Sequence, residues 1–137
     1  MKHVFLDTAP LIYLAEGDPE RCEIVLQQLT RWIKSETLLG TSTLTLLELL
    51  VVPKRKKNLQ LERKYRTLLN TFLSTPLIEM DSEIALLASE YRASLGLKTP
   101  DAIQVATAVH HGYELFYTND HHLRCCKDID IILVDSQ

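Results

Sequence analysis

The chain has 137 residues, 46% of them hydrophobic and 24% charged, with a formal net charge of −3. That is enough to bury a substantial core as one domain, residues 1–137, and the composition excludes a disordered or fibrous protein. No apolar run approaches the roughly 20 residues needed to span a bilayer. The opening MKHVFLDTAP has too short an apolar stretch for a secretory signal, and Asp7 interrupts it. Cys22, Cys125 and Cys126 are odd in number and lack framework spacing, which excludes a secreted disulfide scaffold. The expected location is the cytoplasm.

In chain order, Val4-Phe5-Leu6 reads as a short buried strand with Asp7 at its C-terminal end. Thr8 to Glu16 starts a first helix or turn, broken by Gly17-Asp18-Pro19. Residues 20–34 carry a helical stripe of Cys22, Val25, Leu26, Leu29, Trp32 and Ile33. Thr37 to Thr41 is a weak second strand. Ser42 or Thr43 can cap a helix through Leu44, Leu47 and Leu50, expected to end before Pro53. Glu48 is the one acid in this apolar segment, and a carboxylate among leucines is costly unless it has a partner or faces a polar cavity.

A basic stretch follows. Between Lys54 and Arg66 lie seven basic residues (Lys54, Arg55, Lys56, Lys57, Arg63, Lys64, Arg66) against Glu62 alone, while the remaining chain has 8 basic and 17 acidic residues. A basic patch on an acidic body would suit a polyanion such as RNA, and would equally be a solvated helix face. The stretch leads into a helix with Leu61, Tyr65, Leu68, Leu69 and Phe72 on one side, ended by Pro76. Leu77-Ile78 reads as a third short strand. Asp81 or Ser82 can cap a helix facing inward through Ile84, Leu87, Ala88, Tyr91 and Leu95, closed by Gly96.

TPDAIQVATAVHHGYELFYTND, Thr99 to Asp120, then organises the rest. Thr99 suits an N-cap and Pro100 the first helical position, and Asp101 falls in the first turn, where the helix dipole favours a carboxylate. The helix should stop at Gly112. Leu115 to Tyr117 forms a strand that Thr118-Asn119-Asp120 ends. About 12 helical residues advance roughly 18 Å and about five strand residues return roughly 17 Å. Asp101 and Asp120 should therefore lie at one edge of the sheet. Ile131 to Val134 makes a last strand. Strands alternating with helices predict an α/β fold with a mainly parallel sheet covered on both faces. Sites in such folds sit at the C-terminal strand edge.

Asp7, Asp101 and Asp120 thus share that edge, and Glu48 can reach it as a fourth acid. Clustered carboxylates raise one another's pKa, and a divalent cation is the usual remedy. All-oxygen ligands favour Mg²⁺ or Mn²⁺, and such a site suits phosphoryl chemistry. His121, His122, Cys125 and Cys126 superficially suggest zinc, but adjacent pairs do not converge easily and lack the usual spacing.

The segments VFLDTAPLIYL around Asp7, TSTLTLLEL around Glu48, TPDAIQVATAVHHG around Asp101 and YTND at Asp120 together resemble the PIN domain, and within it the stand-alone ribonucleases that act as toxins of the VapBC toxin–antitoxin type. The resemblance covers essentially the whole chain. It implies a three-layer α/β/α sandwich and a Mg²⁺- or Mn²⁺-dependent endoribonuclease. Asp7, Glu48, Asp101 and Asp120 would be its acidic quartet, and Thr118, with Thr8 in a similar part, its hydroxyl residue. It also implies a homodimer and a cognate antitoxin. Lys54, Arg55, Lys56 and Lys57 are candidate RNA contacts. Two departures stand out: Ala9, where Ser or Asn is frequent, and His121-His122-Leu123, where another acid and an aromatic residue often follow. The second weakens the case for a second, tightly held ion.

Two other readings are open on the sequence. A haloacid-dehalogenase-type phosphotransferase could use Asp7 as nucleophile, but it wants an acid two residues on, where Ala9 stands. A catalytically inactive RNA- or partner-binding relative would keep the fold and lose the quartet, all of which is present.

Overall fold

Each strand of this protein is only three or four residues long, so the sheet depends on what covers it. The computed structural model describes residues 2–136; Met1 and Gln137, the ends of the expected domain, lie outside the described residues. The chain runs β1 (His3–Leu6), α1 (Thr8–Glu16), α2 (Pro19–Lys34), β2 (Leu38–Gly40), α3 (Thr43–Arg55), α4 (Leu59–Phe72), α5 (Ser82–Leu95), α6 (Thr99–His110), β3 (Leu115–Thr118) and β4 (Asp130–Leu133). Short 3₁₀ turns occupy His121–Cys125 and Val134–Ser136.

The sheet order is β2-β1-β3-β4, and all three pairings are parallel. Alternation along β1 sends Phe5 to one face, and Val4 and Leu6 to the other. Phe5 stacks on Phe116 of β3, centroids 5.3 Å apart, beneath α5 and α6. Val4, Leu6 and Tyr117 join the core of α1 to α4, where Trp32 meets Tyr117 edge-on at 5.0 Å. Two apolar cores thus lie on opposite faces of one sheet, the expected three layers. Gly40 ends β2 because a Cβ there would lie 1.9 Å from the Tyr113 hydroxyl.

The caps follow the sequence closely. Asp18, Ser42, Asn58 and Asp81 each accept an N–H from the first turn of the helix they start. Gly96 closes α5 in the left-handed conformation, with φ 68°.

Four local expectations fail. Lys98, not Thr99, is the N-cap of α6, and it makes no side-chain capping bond; Thr99 is already helical. Helix α3 does not stop before Pro53 but carries it as a buried residue near its end. There only a last-turn hydrogen bond is lost, and burial of the ring offsets it. Leu77-Ile78 is not a strand: Ile78 makes one isolated bridge, to Ser42. Not every stripe residue is buried either, since Leu26, Ile33 and Leu47 are exposed. No described helix is long and apolar enough to cross a membrane.

Candidate active site at the C-terminal edge of the sheet

Parallel strands end together, so the residues after β1 and β3 meet at one edge. Asp7 follows β1 directly and caps α1, its Oδ1 accepting the Thr8 N–H at 2.8 Å. Its Oδ2 accepts the hydroxyl of Thr118, the last residue of β3, at 2.8 Å. The Thr8 hydroxyl in turn donates to Glu48 Oε1 at 2.7 Å, which draws the second turn of α3 to the same edge. Asp120 caps the 3₁₀ turn through the His122 N–H, and its own N–H donates to Thr118 Oγ1 at 3.2 Å. Glu48, Thr8, Asp7, Thr118 and Asp120 form one hydrogen-bonded run. Asp101 comes from the other layer, in the first turn of α6, and among the described residues no hydrogen bond holds its carboxylate.

Electrostatics links all four acids. Burial pushes the Asp7 carboxyl up to about 6; the Thr118 and Thr8 hydrogen bonds oppose this, and the charges of Asp101 and Glu48 add to it. Burial also raises Asp101, as do the nearby charges of Asp120 and Glu48, against a weaker pull from Lys98 and His122. The hydrogen bonds holding Asp7 and Glu48 come from hydroxyls and a backbone N–H, which orient an acid without cancelling its charge. The donors are all oxygen. Even so, among the described residues no three His, Cys, Asp or Glu side chains make a ready metal cage.

The remaining candidates lie elsewhere. Lys54 and Arg55 end α3, and Lys56 and Lys57 follow it, all exposed. Lys54 lies six positions after Glu48, about 9 Å along the helix. Lys54 and Arg66 both pair with Glu62, and Lys64 donates to the Ala15 carbonyl. His121 to Cys125 lie in the 3₁₀ turn, Cys126 is buried, and all three cysteines are free.

Sequence reasoning missed a second constellation beside Asp120. Asn119 donates to Tyr13 Oη and to Asp135, both at 3.0 Å, and accepts the Asp135 N–H. Arg21 makes a two-point contact with Asp135 and lies 5.0 Å over the Tyr13 ring. This group fastens α1, α2 and the end of β3 together behind the acids. No local signal in the sequence announced it, because its hydrogen-bonded partners lie 16 to 114 positions apart.

Residues 4–127 match the family model for the PIN domain. The chain belongs to the PIN-domain family. No curated protein matches it in sequence. Among solved structures, this PIN domain is similar to a toxin–antitoxin complex from Klebsiella pneumoniae, at 26% identity over 96% of this chain and 97% of that one, TM-score 0.74. It shares its fold with VapBC2 from Rickettsia felis bound to a promoter DNA fragment, at 14% identity over 96% and 98%, TM-score 0.78. It also shares it with FitAcB from Neisseria gonorrhoeae, at 22% identity over 98% and 99%, TM-score 0.74. A PIN domain similar to the toxins of toxin–antitoxin systems implies nuclease activity.

Proposed function

We propose that this PIN domain is a Mg²⁺- or Mn²⁺-dependent endoribonuclease and the toxin of a toxin–antitoxin pair. The observation that carries the reading is the convergence of Asp7, Glu48, Asp101 and Asp120 on one sheet edge, with Asp7 and Asp101 raised by burial and by their acidic neighbours. Such a group is stable as four charges only with a cation among them. Asp7, Asp101, Asp120 and Glu48 would hold it. The all-oxygen donor set suits Mg²⁺ or Mn²⁺, because Mg²⁺ keeps several waters and takes one or two carboxylates plus substrate phosphate. When bound, such an ion would lower the pKa of the attacking water, and a second one would stabilise the leaving oxygen.

The chain's own residues prepare the site. Thr118 and the Thr8 N–H fix both oxygens of Asp7, so its orientation is set before substrate arrives. The Thr8 hydroxyl does the same for one oxygen of Glu48. The Thr118 hydrogen bond favours ionised Asp7 and so lowers the pH at which the site becomes competent. The exposed basic residues Lys54, Arg55, Lys56 and Lys57 would meet RNA phosphates at a distance from the acids.

Two partner readings accompany this. The similarity to chains crystallised as toxin–antitoxin complexes supports a cognate antitoxin. A homodimer follows from the family resemblance, and exposed Leu47 and Val51, one turn apart on α3, would be available to it. The deciding experiment is cleavage of a mixed cellular RNA pool with Mn²⁺, Mg²⁺ or excess chelator, beside Asp101→Asn. Cuts are expected only with metal and only in the unaltered protein. Cleavage that survives chelation would overturn the metal dependence, and a folded protein that cuts nothing would turn the reading to a binding module.

A further inference from the structure

The quartet draws its acids from both layers of the sandwich. Asp7, Glu48 and Asp120 belong to one hydrogen-bonded run along the sheet edge and α3. Asp101 rides on α6, whose core lies on the opposite face of the sheet. The two apolar cores do not merge, and apolar burial is non-directional. Neither core spans both layers, so the way the four carboxylates meet depends also on what joins α6 to α3.

A buried polar side chain crosses between the layers. Gln104, one turn after Asp101 on the same helix, is buried at 1% exposure. Its Nε2 donates to Thr45 Oγ1 at 2.7 Å, and its Oε1 accepts from Ser42 Oγ at 2.5 Å. Ser42 is the N-cap of α3 and accepts the Thr45 N–H; Thr45 is one turn before Glu48. The run continues to the sheet. Thr41 Oγ1 lies 2.7 Å from Thr45 Oγ1 and 2.6 Å from the Leu6 carbonyl, which directly precedes Asp7. A carbonyl only accepts, so the Thr41 proton goes to Leu6 and the Thr45 proton to Thr41. The bonds then run one way, from the Gln104 amide through two hydroxyls to the backbone beside Asp7. Thr41, Ser42 and Thr45 are all buried. A buried network in which each side-chain polar atom has a partner favours one arrangement over alternatives.

We propose that Gln104 is a positioning residue: through Ser42 and Thr45 it ties α6 to α3 across the sheet edge, and so sets how Asp101 meets Glu48 and Asp7. The functional consequence rests on the nuclease reading of the site; the tie itself does not. Gln104 touches no reacting group. It acts through the helix that carries Asp101.

The test compares the wild-type protein with Gln104→Met, which keeps length and volume and removes both hydrogen-bonding ends. Thr45→Val, which removes one hydroxyl and keeps the shape, is the second variant. Hydrogen exchange needs neither metal nor RNA. The tie predicts faster exchange confined to residues 43–48 and 99–105, with α2 and α4 unchanged. Mn²⁺ binding, followed by calorimetry, should weaken by about 10–100-fold, the range typical of residues that orient ligands from outside. Cleavage should fall at low Mn²⁺ and recover largely at saturating Mn²⁺, with KM for RNA unchanged.

A protection loss spread evenly over the chain, or none, would overturn the tie, because ordinary packing predicts either. So would unaltered Mn²⁺ affinity beside a wild-type protein that binds the ion. Failure of both variants to fold would also overturn it, since a residue that only positions leaves both cores intact. A wild-type protein that neither binds Mn²⁺ nor cuts RNA sinks the nuclease reading instead, and the exchange pattern then decides the tie by itself.

Discussion

Two regions of this PIN domain concentrate charge of one sign, and they treat it in opposite ways. The basic stretch from Lys54 to Arg66 is exposed, and it is partly neutralised where Lys54 and Arg66 share Glu62. The acidic edge is half-buried, and the hydrogen bonds that hold Asp7 and Glu48 come from neutral donors. Solvent and salt screen the first, so it costs the fold little. The second is screened less, so Asp7 and Asp101 hold their protons more tightly than a free carboxyl does. Solvated charge is what a surface tolerates anyway, whereas buried uncompensated charge needs a reason. The acidic edge therefore says more about function than the basic stretch does, although the stretch is the more conspicuous run in the sequence.

The largest effect that could break this comparison is at Asp7. Asp7→Asn should cut metal-dependent cleavage by more than about a hundredfold, beyond the range that outer residues of metal sites command. The same change should stabilise the fold. The folded-state pKa of about 6 lies above the ordinary 3.8, so the fold prefers the protonated acid. Stability is then complete below about pH 4, falls as pH rises through 6, and is about 3 kcal/mol lower above that. Asparagine keeps the neutral shape and carries no such loss. Urea midpoints in chelator from about pH 4 to 8 should slope downward in the wild type and run flatter in Asp7→Asn. Parallel curves would mean that the edge is solvated like the basic stretch.

Thr118→Val comes next, with an expected loss of about 10–100-fold in cleavage. Thr118 lowers the Asp7 pKa by donating to its charged form. Without that bond protons compete better for Asp7, and the acid limb of the pH–rate profile at subsaturating Mn²⁺ should move upward. An unmoved limb beside reduced activity would make Thr118 a packing residue only.

The acids were legible because their signals are local. Asp7, Asp101 and Asp120 stand at strand ends or a helix start, and the lengths of α6 and β3 alone bring two of them to one edge. Glu48 was legible as an acid out of place among leucines. What the sequence hid depends on partners far along the chain. Ser42 meets Gln104 across 62 positions and Arg21 meets Asp135 across 114, and no periodicity announces either. Gln104 sits among Val105, Ala106 and Ala108 and reads simply as part of a helix. At Pro53 tertiary burial overrode a local rule. Pro53 stayed helical because its ring is buried, and Ile78 found one bridge partner rather than a strand.

The smaller effects belong to the basic stretch. Neutralising Lys54, Arg55, Lys56 and Lys57 together should weaken RNA binding and flatten its salt dependence, by about 0.7 in log–log slope for each RNA phosphate these side chains no longer neutralise. An unchanged slope would place the stretch off the RNA path. The smallest is Glu62→Gln. It frees Lys54 and Arg66 from their shared acid and lifts the brake that a neighbouring anion puts on RNA phosphates. Melting should not shift measurably, because exposed ion pairs contribute little. RNA affinity at low salt should rise slightly, and the gain should vanish at high salt as screening takes over. A marked loss of stability instead would mean that Glu62 organises the stretch rather than merely shielding it. The two charged regions would then differ in sign and not in kind.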